Sequence, residues 1–135
     1  MAPVDGKSGP ITVLLAEDEP AVRAFACTTL RAEGYTVLEA PDGAAAEKAA
    51  GKYGVPPDLL ITDFVMPGVD GAELASRLRP RFPRMRVLFI SGKVEDEGVQ
   101  EGLMQEAFKK GASFLQKPFD AESLLRKVRA VLRGS

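Results

Sequence analysis

Five short apolar runs, each followed by a stretch of helical or loop character, constrain what this chain can fold into. ITVLLA (11–16), YTVLEA (35–40), DLLITD (58–63), MRVLFIS (85–91) and SFLQKP (113–118) have the length of strands. After the first, PAVRAFACTTLRAEG (20–34) places Val22, Phe25, Ala26, Thr29 and Leu30 at helical spacing, with Pro20 suited to a first turn and Gly34 to an end. DGAAAEKAAGKYG (42–54) predicts an alanine-rich helix opened by Asp42, and GAELASRLR (71–79) a third helix. Val99, Leu103, Met104, Ala107 and Phe108 define one face of a fourth, interrupted by Gly98 and Gly102 and closed by KKG at 109–111. DAESLLRKVRAVLR (120–133) ends the pattern, with Leu124, Leu125, Val128, Val131 and Leu132 on its apolar face. Such alternation with short connections predicts an α/β fold, a mostly parallel sheet with helices on both sides.

A chain of 135 residues with 45% hydrophobic and 27% charged residues suits one domain with a core of its own, here 11–133. MAPVDGKSGP (1–10) reads as a flexible leader or linker remnant, without the apolar stretch of a signal peptide. Its GKS triplet lacks the upstream glycine of a phosphate-binding loop, with Met1 in that place, and it precedes a strand instead of following one. A formal net charge of −1 gives no reason to expect nucleic acid or an anionic membrane as a partner. The single cysteine, Cys27, excludes an intrachain disulfide and a cysteine-based metal cluster, and its place beside a helical stripe suits a structural thiol. The absence of histidine removes His-based metal sites, Ser-His and Cys-His catalysis, and phosphohistidine on this chain.

In an open parallel sheet ligands gather outside the carboxyl ends of the strands. The first strand ends in Glu17, Asp18 and Glu19, the third in Asp63, the fourth in Ser91 and the fifth in Lys117. Each has an ordinary use taken singly. Acids ahead of a helix oppose its dipole, Asp18 could cap it, and an aspartate before Pro-Gly forms turns. Their convergence on one rim is less ordinary, because two carboxylates about 5 Å apart repel by roughly 3 kcal/mol at an effective dielectric near 20. Oxygen-only ligands point to a hard cation, and Mg²⁺ suits one or two carboxylates plus water and a phosphate. The set is laid out for phosphoryl chemistry: Asp63 as nucleophile, Mg²⁺ and Lys117 balancing the oxygens, Ser91 donating a hydrogen bond.

LLAEDEP, LLITDFVMPGVDG, VLFISG and FLQKPF, in that order, closely resemble the acidic pair, the phosphoacceptor segment, the hydroxyl-bearing strand and the lysine segment of response regulator receiver domains. The resemblance spans essentially all of 11–133 and extends to receivers fused behind sensor histidine kinases. It implies a flavodoxin-like, doubly wound, five-stranded parallel sheet in the order 2-1-3-4-5 with five flanking helices. It implies Mg²⁺ ligation by Asp18, Asp63 and the backbone carbonyl of Val65, with Glu17 acting through water. Phe114 takes the place of the aromatic switch residue beside Ser91, and the Lys117–Pro118 peptide is expected to be cis. The implied function is a phosphoacceptor of a two-component phosphorelay, not an enzyme acting on external substrates. Its implied partner is a sensor histidine kinase or histidine phosphotransfer protein in the cytoplasm, and neither nucleic acid nor membrane is expected to bind directly. The implied readout surface runs from the 99–108 helix through the last strand and closing helix, where a homodimer could also form. Two departures stand out: Glu17 replaces the commoner aspartate, and the region around the 99–108 helix is about one helical turn longer than usual.

Other classes fit less well. An aspartyl-phosphate phosphatase of the haloacid dehalogenase type needs a second aspartate two residues after its nucleophile, where this chain has Val65. A flavin-binding domain needs a Ser/Thr/Gly-rich phosphate loop after the first strand, where EDEP would repel phosphate. A receiver-like module that signals without phosphorylation is the remaining alternative.

Overall fold

The computed structural model describes residues 9–66, 68–92, 109 and 111–134. Its elements are β1 (Thr12–Ala16), α1 (Pro20–Ala32), β2 (Thr36–Ala40), α2 (Gly43–Tyr53), β3 (Leu59–Asp63), α3 (Gly71–Leu78), β4 (Arg86–Ser91), β5 (Ser113–Gln116) and α4 (Ala121–Leu132). The helix expected on Val99 to Phe108, with Gly98 and Gly102, lies outside the described residues, as do residues 1–8 of the leader. Four helices are therefore seen among the described residues where five were expected.

The five strands form one parallel sheet in the order β2-β1-β3-β4-β5, as expected. Alternation along the inner strands divides the interior into two cores, because successive side chains face opposite sides. Val13, Leu15, Leu59, Ile61, Leu88 and Ile90 face α1 and α4, meeting Ala26, Leu30, Leu124 and Val128. Leu14, Leu60, Val87 and Phe89 face α2 and α3, meeting Ala46, Ala50, Leu74 and Leu78. Every residue of β1 and β3 is buried, so these two strands form the solid centre of the sheet. Asp63 is the last residue of that buried run.

Three helices start in the same way: Asp42, Asp70 and Asp120 accept the backbone N–H of Ala45, Glu73 and Ser123 at 2.8, 2.9 and 2.8 Å. α1 differs, opening on Pro20 with Glu19 at its N-cap and no side-chain cap. The capping role open to Asp18 is therefore not used, since the helix begins one residue too late for it. Phe25 also departs from expectation. It is exposed, its ring 6.3 Å from that of Phe119, while Ala26, Cys27 and Leu30 make the buried stripe. The stripe is centred about one residue later than the sequence pattern suggested. Burial, followed by the charge of Glu39, pushes the Cys27 thiol up to about 11, which suits an inert structural cysteine.

Candidate functional site

The sheet brings the acids and the lysine to one place. The strand order reverses between β1 and β3, and both end at the same edge, so Glu17, directly after β1, lies beside Asp63, the last residue of β3. Glu17 continues the ladder by donating its N–H to the Ala40 carbonyl at 3.0 Å, and it is 0% exposed. Arg23 of α1 donates to the Glu17 carbonyl at 2.8 Å, pinning the turn from outside. Asp63 is 4% exposed. Lys117 follows β5, its N–H donating to the Ser91 carbonyl at 2.9 Å, and its bond to Pro118 is cis as expected.

Lys117 stands at the centre of the charges. Its Nζ lies 3.1 Å from Asp63 Oδ1, 3.3 Å from Glu17 and 2.5 Å from Glu19 Oε1, with only 17% of the side chain exposed. Ligand atoms of Glu17, Asp18 and Asp63 lie within 4.8 Å of one another, with Asp18 on the solvent side. Three carboxyl groups share that space; Asp63 Oδ2 is buried without a hydrogen-bond partner, and buried Glu17 Oε1 accepts no hydrogen bond although the Lys117 ammonium is 3.3 Å away. Orphaned oxygens are costly in an interior. Here they converge where a hard cation would satisfy both the geometry and the charge, so the residues fit Mg²⁺. Burial first, then the neighbouring Glu17 and Asp18 carboxyls, pushes Asp63 up to about 9 despite the opposing charge of Lys117.

Ser91 is the last residue of β4, one register step beyond the Asp63–Ile90 pair. Phe114 pairs with Phe89 across β4 and β5. Its ring is 5.4 Å from Phe89 and 5.7 Å from Phe64, and Phe64 meets Phe89 edge-on at 5.1 Å. The residue after Asp63 is thus in ring contact with the aromatic on β5. Val65 is exposed, two residues past Asp63.

Two contacts escaped the sequence reading of the site. Glu19, there one acid of three, reaches Lys117 across 98 positions of sequence, a contact that no local pattern encodes. Gly71 opens α3 directly against the end of β3. A Cβ there would stand 2.0 Å from the Asp63 carbonyl oxygen, and the Gly71 N–H donates to the Phe64 carbonyl at 3.0 Å. Asp70 signals the cap, but the closeness of α3 to Asp63 depends on tertiary packing.

Residues 13–129 match the response regulator receiver domain, and the chain belongs to that family. It is 38% identical over 125 residues to the sensor kinase CckA of Brucella abortus (strain 2308), covering 93% of this chain and 13% of that protein. Over 133 residues it is 32% identical to the probable transcriptional regulatory protein TcrX of Mycobacterium tuberculosis (strain ATCC 25618 / H37Rv), covering 98% of this chain and 53% of that protein. Among solved structures, the receiver domain of the hybrid histidine kinase CckA superposes with a TM-score of 0.72 at 37% identity, covering 90% of this chain and 98% of that one. The chemotaxis response regulator CheY4 of Vibrio cholerae gives a TM-score of 0.75 at 31% identity, covering 92% and 100%. The chain thus spans about half or less of these curated relatives, yet nearly the whole of the solved receiver domains.

Proposed function

We propose that Asp63 accepts a phosphoryl group from a phosphohistidine on a partner, a sensor histidine kinase or a histidine phosphotransfer protein. A carboxylate oxygen of Asp63 forms a bond to phosphorus as the bond from phosphorus to the imidazole nitrogen breaks, leaving an acyl phosphate here and a free imidazole on the donor. The observation that carries this reading is the unpartnered Oδ2 of a nearly buried Asp63, set between Lys117 and the Glu17–Asp18 pair. Asp18, Asp63 and the Val65 carbonyl would hold Mg²⁺, with Glu17 acting through water. When bound, the ion keeps Asp63 ionised and offsets charge on the transferring oxygens. Lys117 neutralises another oxygen, and the Ser91 hydroxyl donates to a third.

The new charge would then be read at a distance. Ser91 drawn toward Asp63 leaves space that Phe114 can fill, and its phenyl ring enters without burying an unpaired hydroxyl. The readout surface runs from residues 99–108 through β5 and α4, where a second copy could also dock. Catalysis is confined to the chain's own phosphorylation and slow dephosphorylation, within the cytoplasm, and no contact with nucleic acid is required. Among the described residues no helix is long and apolar enough to cross a membrane.

Incubation with acetyl phosphate and Mg²⁺ tests the reading by intact mass. One phosphate adduct is expected in the wild type and none in Asp63→Ala. An adduct that persists in the variant, or none in either protein, overturns it.

A further inference from the structure

We propose that Glu19 is a positioning residue that sequesters Lys117 in the resting pocket and must release it before a phosphoryl group on Asp63 is fully neutralised. The inference rests on the phosphoacceptor reading above and adds a control on that site. An ammonium has three N–H donors, and three carboxyl groups face this one, from Glu17, Glu19 and Asp63. No donor is left for a phosphoryl oxygen until one of them gives way.

Burial decides which partner leaves. Glu17 has a side chain 0% exposed, and losing the ammonium would leave it a buried, uncompensated carboxylate, while Asp63, 5% exposed, carries the phosphoryl group itself and keeps a carbonyl oxygen that can accept from Nζ. Glu19 has a side chain 59% exposed, so water can take over its oxygens when it lets go. Its contact with Nζ is nevertheless the shortest of the three, at 2.5 Å. Glu19 is also free for this use, because it occupies the N-cap of α1 without a side-chain cap bond. Glu19 therefore competes with the incoming phosphoryl group for one cation.

Beryllofluoride, a phosphoryl mimic, tests this by calorimetric titration at saturating Mg²⁺. The proteins compared are the wild type, Glu19→Gln, Lys117→Ala, the double variant and Asp63→Ala. Glu19→Gln should bind the mimic about three- to fivefold more tightly than the wild type, near the upper range of a partly exposed ion pair. On the Lys117→Ala background the same substitution should change affinity by no more than about 1.5-fold, because the competitor has lost its object. Equal tightening on both backgrounds would reduce Glu19 to a general repulsive charge and overturn the latch. Unchanged or weaker binding in Glu19→Gln with Lys117 present would overturn it too. Wild type that does not bind the mimic, or Asp63→Ala that binds it as well, would instead remove the phosphoacceptor reading itself, and the latch with it.

Discussion

At the scale of single residues, Asp63 is held in a conflict that binding can relieve. Its carboxyl keeps a proton to about pH 9 when folded, mainly because it is buried, whereas an unfolded aspartate releases it near pH 4. A pKa raised by folding stabilises fully below the unfolded value, and that contribution is lost as pH rises through the folded value. Without divalent ions, the ionisable side chain therefore makes the protein progressively less stable between about pH 4 and 9. Asp63→Asn, which has no proton to lose, should melt roughly 5 °C above wild type at pH 7.5, and the difference should vanish near pH 4. Identical melting temperatures across that range would contradict the burial conflict. That Glu17, Asp18, Asp63 and Lys117 meet at one rim was legible in the sequence, because each leaves a strand at the same edge, as does Ser91 at the end of β4. Glu19 was legible only as one acid of three. Its contact with Lys117 depends on β1 and β5 ending on the same rim, with β3 and β4 between them.

Among the elements, α3 packs directly against the end of β3 that carries Asp63. Its first residue, Gly71, sits where any side chain would strike the Asp63 carbonyl, so the helix start and the end of β3 are fitted together. Gly71→Ala should cost about 1–3 kcal/mol, the range for overpacking a filled site, lower the melting temperature by several degrees, and slow phosphorylation by acetyl phosphate. Thermal melts and the rate of adduct formation measure both, and an alanine variant that matches wild type in each would show that the close approach is incidental. The strands and described helices follow the sequence pattern to within a residue or two at their ends, since β1 and β3 are fully buried and Asp42, Asp70 and Asp120 cap their helices. Phe25 was misread because periodicity marks an apolar stripe without fixing which edge of it faces inward. The ring contact of Phe64 with Phe114 was equally hidden, as it joins residues 50 positions apart, one just past the end of β3 and one on β5, with β4 between them.

Across the whole molecule, the order β2-β1-β3-β4-β5 turns separate strand ends into one site. The near-neutral overall charge conceals a pocket where, among the described residues, Glu17, Asp18, Glu19 and Asp63 gather around Lys117. The sheet order came from resemblance to a family, since strand–helix alternation alone permits several parallel orders. The central claim is that this pocket delivers phosphorus to one oxygen of one residue. An acyl phosphate is reduced by borohydride, which would convert a phosphorylated aspartate to homoserine and leave free carboxylates untouched. After treatment with acetyl phosphate, Mg²⁺ and then borohydride, peptide mass mapping should place homoserine at position 63. Conversion at Asp18 or another acid, with Asp63 intact, would contradict the account.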